Sequence, residues 1–358
     1  MNDEGLFTGT GAVRQAHRFD EERLADWLGA NVADFEGPIT VEQFRGGQSN
    51  PTYKLVTPKK SYVMRRKPPG KLLRGAHAVD REARVISALE KAAFPVPHVY
   101  GLCTDDEVIG TWFYVMEMVE GRIFWDATLP QIAREQRPSY FEAMSATLAQ
   151  LHKLDYTSIG LGDYAKPGNY FTRQISRWTK QYLADEDAGR DPNLDLLIEW
   201  LPNNIPAGDE TSVVHGDFRI DNMIFHPTEP RVLAVLDWEL STLGHPLADF
   251  AYNLMVYRLP PSVFAGLVGA DLMALNIPSE TDYIESYCRH TGRKSVTGID
   301  FCVAFNMFRF AAIVHGVKGR AIRGNAANEH AQALIDFLPR LSQIGWEQAK
   351  LASEKTPS

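Results

Sequence analysis

The chain changes character once, and that change limits the folds open to it. Up to residue 118 it is dominated by short extended runs, at 41–44, 52–56, 61–66, 99–102 and 111–118. Gly, Pro and Asn punctuate them. Two helical patterns join these runs. Asp20 can cap a helix carrying Leu24, Trp27, Leu28, Val32 and Phe35, and 78–92 places Val79, Ala83, Ile86 and Leu89 on one face. Beyond Gly121 the pattern is helical, at 139–154, 170–184, 194–201, 282–290, 301–317 and 329–351, broken by one strand-rich island at 212–240. The expectation is an α+β fold of two lobes: a small antiparallel-sheet lobe over 1–118, with 1–18 as a loose arm, and a larger, mainly helical lobe over 119–358. The join falls near residues 117–121. A length of 358 residues agrees, since it exceeds what one compact core usually takes.

Composition removes several functions. A net charge of −8 argues against a general nucleic-acid binder. Three cysteines without a C-x-x-C spacing suggest reduced thiols and a cytoplasmic protein, not a disulfide framework or a zinc site. The first residues do not read as a secretory signal. The apolar stretch from Val263 is cut by Asp271, so no membrane-spanning run is expected.

The island carries the chemistry. It runs Val213-Val214-His215-Gly216-Asp217-Phe218-Arg219-Ile220-Asp221-Asn222-Met223-Ile224-Phe225, and after a Pro-rich turn Val232-Leu233-Ala234-Val235-Leu236-Asp237-Trp238-Glu239. The two apolar runs, 223–225 and 232–236, should pair as a hairpin. Its open ends then bring the Asn222 amide oxygen and the Asp237 carboxylate to one point. That oxygen pair suits Mg²⁺, which completes its octahedron with phosphates and water. Asp217 lies five residues before Asn222. A second carboxylate near the metal, outside its coordination shell, is what phosphoryl transfer needs to accept and orient a substrate hydroxyl. The spacing matches the H-R-D-x-x-x-x-N loop of protein kinases, with Gly216 in place of the arginine. His215 and Asp249 read as structural supports of this loop.

The H-G-D form, L-D-W-E in place of D-F-G, and Gly244-His245-Pro246-Leu247-Ala248-Asp249 together resemble the aminoglycoside phosphotransferase and choline kinase group. The resemblance covers roughly residues 40–320, and is strongest to the kinase-like domain joined to some acyl-CoA dehydrogenases. It implies a two-lobed protein-kinase-like fold and an ATP- and Mg²⁺-dependent small-molecule kinase. On that footing Gly46, Gly47, Ser49 and Asn50 form a phosphate flap. Arg65 on the third strand takes the phosphate-binding lysine's place, as arginine does in choline-kinase-like sequences, with Glu82 as its helix partner. Backbone around Glu117 and Met118 would pair with the adenine edge, though side chains there do not separate ATP from GTP.

The acceptor is less legible. The segment 308–323 is apolar and basic in an acidic chain. Lys318, Arg320 and Arg323 are therefore expected to receive an anionic small molecule, and the resemblance to the dehydrogenase-linked subgroup implies a hydroxy acid or its CoA thioester. The alternatives are an aminoglycoside or amino-alcohol kinase and a nucleotide-binding pseudokinase, the latter supported only by Arg65.

Overall fold

A computed structural model describes residues 9–45, 50–68, 77–263, 265–324 and 329–355. Two compact units divide the chain. One comprises Met1–Trp125, Thr157–Leu161 and Asp221–Ser241; the other comprises Asp126–Tyr156, Gly162–Ile220 and Thr242–Ser358.

The first unit is built on an antiparallel sheet of order β1-β2-β3-β4-β6-β5. Its strands are β1 (Thr10–Gly11), β2 (Thr40–Phe44), β3 (Thr52–Val56), β4 (Ser61–Arg66), β5 (Val99–Cys103) and β6 (Phe113–Glu117). Alternation in β3 and β4 sends Tyr53, Leu55, Tyr62 and Met64 to one face. There they bury against Leu24 and Leu28 of helix α1 (Glu21–Asn31) and Val32 just past its end. Asp20 caps this helix as expected, its side chain accepting from the N–H groups of Glu22 and Arg23 at 3.1 and 3.0 Å. Val63 and Arg65 therefore point to the opposite face, the side of helix α2 (Val79–Lys91). A one-turn helix, α3 (Asp106–Ile109), closes the β5–β6 connection.

Two expectations need correction here. The arm is structured from residue 9 onward. Thr10–Gly11 is an edge strand on β2, and the His17 carbonyl accepts from Arg66 Nη2 at 3.1 Å and Tyr53 Oη at 3.2 Å. The boundary expected after Met118 also differs from the observed division. The hairpin of β8 (Met223–Phe225) and β9 (Val232–Val235) belongs to the first unit, because its main chain is bonded there. Arg122 and Phe225 exchange both N–H···O bonds at 2.8 Å, and Val235 N–H donates to Pro95 O at 2.9 Å.

The second unit is mainly helical: α4 (Arg137–Lys153), α5 (Tyr170–Ala184), α6 (Pro192–Trp200), α7 (Pro246–Leu254), α8 (Leu272–Leu275), α9 (Glu280–Thr291), α10 (Ile299–Ile322) and α11 (Glu329–Lys355). A two-stranded ribbon, β7 (Ser212–Val214) with β10 (Thr242–Gly244), delivers the H-G-D loop. Helix α10 packs against α5, α6, α7 and α11 and is buried for most of its length. It is apolar on every side for that reason. By length and composition alone it could cross a membrane, contrary to the expectation from the sequence, yet 78% of its most apolar window is buried inside the protein.

Gly121, just past β6, fixes how closely the hairpin approaches. A Cβ there would meet the Phe225 carbonyl oxygen at 2.3 Å and Ile224 Cγ2 at 2.5 Å. Gly121→Ala must push the two main chains apart. It is expected to lower unfolding stability by about 1–3 kcal/mol. Gly11→Ala, with nothing within 4 Å of its Cβ, should stay within about 0.5 kcal/mol. Urea midpoints of both variants check the contrast.

Candidate active site

In the first unit the site begins with Arg65. Burial opposes its charge, but the carboxylates of Asp237, Glu82 and Glu239 outweigh this and hold it firmly protonated. Its Nη2 donates to Asp237 Oδ1 at 2.7 Å and to Glu239 Oε2 at 3.2 Å. Its Nε lies 3.0 Å from Glu82 Oε2, an ion pair without the linear geometry of a hydrogen bond. Glu82 is buried on α2 and also accepts from Tyr114 Oη at 3.2 Å and Asn50 Nδ2 at 2.8 Å. Burial, partly offset by Arg65, pushes the Glu82 carboxyl up to about 7. A buried charge network of this sort costs stability and is commonest where chemistry is done.

Asn50 corrects an expectation. It is not positioned to donate to a phosphate. It is fully buried, its amide N–H is taken by Glu82, and its Oδ1 meets His77 Nδ1 at 2.9 Å. Asn50 ties the end of the flap to the Arg65–Glu82 pair instead. Gly46, Gly47 and Ser49 lie outside the described residues.

A cavity of about 450 Å³ opens beside this network. Val63, Ile86, Tyr114, Met116, Trp125 and Leu236 form apolar walls, and Arg65, Asn222 and Asp237 supply polar groups. An apolar slot with a few convergent polar groups is the usual form of a ligand site. Glu117 and Met118 lie in its wall. The Glu117 N–H is already given to His98 O at 2.8 Å.

The hairpin does bring Asn222 and Asp237 to one place. Met223 pairs with Val235, Leu236 N–H donates to the Asn222 carbonyl at 2.8 Å, and both residues line the cavity. Asp237 turns the chain out of β9 in the left-handed region, at φ 63°. These residues fit a magnesium ion. The donors are hard oxygens, and the carboxyl groups of Glu82, Asp237 and Glu239 gather round the Arg65 guanidinium. Asp237 already attracts one cation, the Arg65 side chain.

In the second unit the H-G-D loop hangs on helix α7. Asp249 is buried and accepts from the N–H of His215 at 2.7 Å and of Gly216 at 2.8 Å. His152 Nε2 lies 3.3 Å from the same carboxylate, and its Nδ1 is 2.7 Å from Tyr287 Oη. Gly216 takes φ +83°, a conformation that suits glycine. His215 is fully buried, and its Nδ1 accepts the Asp217 N–H at 3.1 Å. The Asp217 carboxylate accepts from Tyr252 Oη at 2.6 Å and has Arg219 Nε at 3.5 Å. Arg309 Nη2 donates to Gly216 O and Asn253 Nδ2 to Phe218 O, at 2.8 and 3.0 Å. Sequence reasoning missed Tyr252 and Asn253. The available signal was their spacing from Asp249, three and four residues on, which shares its helix face.

Two of the three basic residues expected to receive the acceptor have partners within the protein. Lys318 Nζ is given to Ala188 O at 2.7 Å, and Arg323 is paired with Asp185 and Asp187 at 2.6 and 3.0 Å. These charges clamp the loop after α5. Arg309 marks where α10 meets the H-G-D loop. Lys318 lies nine residues further along, about 13 Å at 1.5 Å per residue, and Arg320 and Arg323 further still.

These features define a phosphotransferase with a kinase-like fold. The sequence profile of the phosphotransferase enzyme family matches residues 40–282, and the chain belongs to that family. Among curated proteins it is 44% identical over 355 residues to chicken acyl-CoA dehydrogenase family member 11, covering 96% of this chain and 45% of that protein. The human protein of the same name is 42% identical over 345 residues, covering 94% of this chain and 44% of that one. The chain thus spans under half the length of either. Among solved structures, a Ralstonia eutropha protein provisionally named an aminoglycoside phosphotransferase is 49% identical, with a TM-score of 0.85 over 93% of this chain and 99% of that one.

Asp249 carries a direct test. Burial alone would raise its carboxyl, but the hydrogen bond and charge of His152, with the His215 contacts, hold it below the usual value of 3.8. A depressed carboxylate adds stability that is present above its unfolded value and lost as pH falls through and below it. Asp249→Asn should cost about 3–5 kcal/mol at neutral pH. The gap to wild type should narrow below about pH 4. Urea midpoints measured across pH check both.

Proposed function

We propose that this phosphotransferase moves the γ-phosphoryl group of ATP to a hydroxyl of a small molecule, with Mg²⁺. The observation that carries the reading is the convergence of Arg65, Asn222 and Asp237 on one apolar-walled cavity. The walls suit a nucleobase and the polar end suits phosphates. Arg65, held in place by Glu82, grips the phosphates in a fork. Asn222 and Asp237 would hold the metal, which supplies charge neutralisation at the phosphate oxygens. Asp217 orients the acceptor hydroxyl and takes its proton as the new O–P bond forms and the bond to ADP breaks.

For the acceptor we propose an anionic hydroxy acid or hydroxyacyl-CoA. With Lys318 and Arg323 committed elsewhere, support for this comes from the longer relatives, which are named acyl-CoA dehydrogenase family members. The name of the Ralstonia protein supports the other acceptor class, aminoglycosides. ADP release over a panel containing both classes decides between them. We place the protein in the cytoplasm on its free cysteines, Cys103, Cys288 and Cys302.

Two substitutions separate base from ligand. Asp217→Asn should lower turnover by about 10²–10⁴-fold while nucleotide affinity stays near wild type. Asp237→Ala should lose Mg²⁺-dependent nucleotide binding together with turnover. Steady-state rates and nucleotide titrations of both proteins test this. Wild-type turnover in Asp217→Asn would remove Asp217 from the role of base.

A further inference from the structure

Helix α7 reads the H-G-D loop with one face. Asp249, Tyr252 and Asn253 stand at positions i, i+3 and i+4, so their side chains project the same way. Asp249 holds the N–H groups of His215 and Gly216, and Asn253 holds the carbonyl of Phe218. Both of those act on main chain. Tyr252 differs, because it reaches the side chain that does the chemistry: its Oη donates to Asp217 Oδ1 at 2.6 Å.

We propose that Tyr252 is a positioning residue for phosphoryl transfer, fixing the orientation of the Asp217 carboxylate in which it meets the acceptor's hydroxyl. The inference rests on the reading of Asp217 as the base. A carboxylate on a short stem otherwise rotates among rotamers, and only some of them aim an oxygen at a bound hydroxyl. A short O–H···O⁻ bond is among the stronger hydrogen bonds available to hold one of them.

The surroundings of Tyr252 keep it suited to this task. Its ring is buried, and Arg309, whose Nη2 is fixed on Gly216 O, sits 5.3 Å from the ring centroid. Asn253, next in the helix, is itself held by Tyr283 Oη at 2.7 Å. The donor therefore stands on a braced helix. Burial and the Asp217 charge raise the Tyr252 phenol well above its ordinary value, against the pull of Arg219 and Arg309. It stays a neutral donor and does not compete for the proton. Arg219, with Nε 3.5 Å from the same Oδ1, adds charge on that side of the carboxylate.

The test uses Tyr252→Phe, Asp217→Asn and the double variant of the full chain. Tyr252→Phe keeps the ring and its contact with Arg309 and removes only the hydroxyl. ADP release from MgATP is measured with hydroxybutyryl-CoA and with water alone as acceptor. Tyr252→Phe should lower kcat by roughly 10–100-fold, with KM for MgATP and the thermal midpoint near wild type. Added to Asp217→Asn, it should cause no further loss, because the group it positions is already disabled. A Tyr252→Phe protein with wild-type kcat beside an inactive Asp217→Asn would overturn the inference and leave the base intact. A loss that multiplies on top of Asp217→Asn would also overturn it, since it would reveal a purely structural role. Wild-type turnover in Asp217→Asn would remove the base first, and the positioning role with it.

Discussion

Arg65 is the point on which the first unit's site depends. One buried guanidinium joins three segments far apart in the chain: β4, which carries it, α2 through Glu82, and the turn after β9 through Asp237 and Glu239. Glu82 alone in that buried setting would be expensive to ionise, and the buried arginine alone would be more so. The group is tolerable only as a set. That explains why the Asn50 amide and the Tyr114 hydroxyl also turn toward Glu82. It also explains an arginine where kinases commonly use lysine. A planar fork can serve several carboxylates at once, whereas a single ammonium is a point charge.

The second unit solves a different problem, holding a short polar loop in a fixed shape. The Gly216 N–H goes to Asp249, its carbonyl to Arg309, and the Phe218 carbonyl to Asn253. The loop has no ladder of its own over these residues, so side chains from α7 and α10 supply the partners that buried main chain requires. Rigidity of this kind is what a positioned base needs. A carboxylate misplaced by about 1 Å can lose a hundredfold in rate.

Local chemistry made much of this readable from the sequence. The helix over 170–184 and the 223–235 hairpin follow from periodicity and turn residues, and they occur close to where these signals put them. Arg65 and Glu82 follow from the family resemblance, with the third strand and the helix over 78–92 as the elements that carry them. The partners of polar side chains were not readable. Asn50 could have faced a phosphate or Glu82, and nothing within a few residues of it decides which. Lys318 and Arg323 looked like a free basic run because Asp185, Asp187 and the Ala188 carbonyl that satisfy them lie well over a hundred residues earlier. Nothing near Tyr252 in the sequence shows that its hydroxyl meets Asp217, 35 residues earlier. Thr10–Gly11 is too short to carry a strand pattern at all, and only its pairing with β2 makes it a strand.

We propose that the cavity beside Arg65 binds a nucleotide whose phosphates share a metal with Asn222 and Asp237. Calorimetric titration of the unaltered protein with a non-hydrolysable ATP analogue, in Mg²⁺ and again in EDTA, tests this most directly. Saturable one-to-one binding is expected, tighter in Mg²⁺ by about tenfold or more, a difference of about 1.4 kcal/mol or greater. Equal affinity in both buffers, or no binding in either, would contradict it.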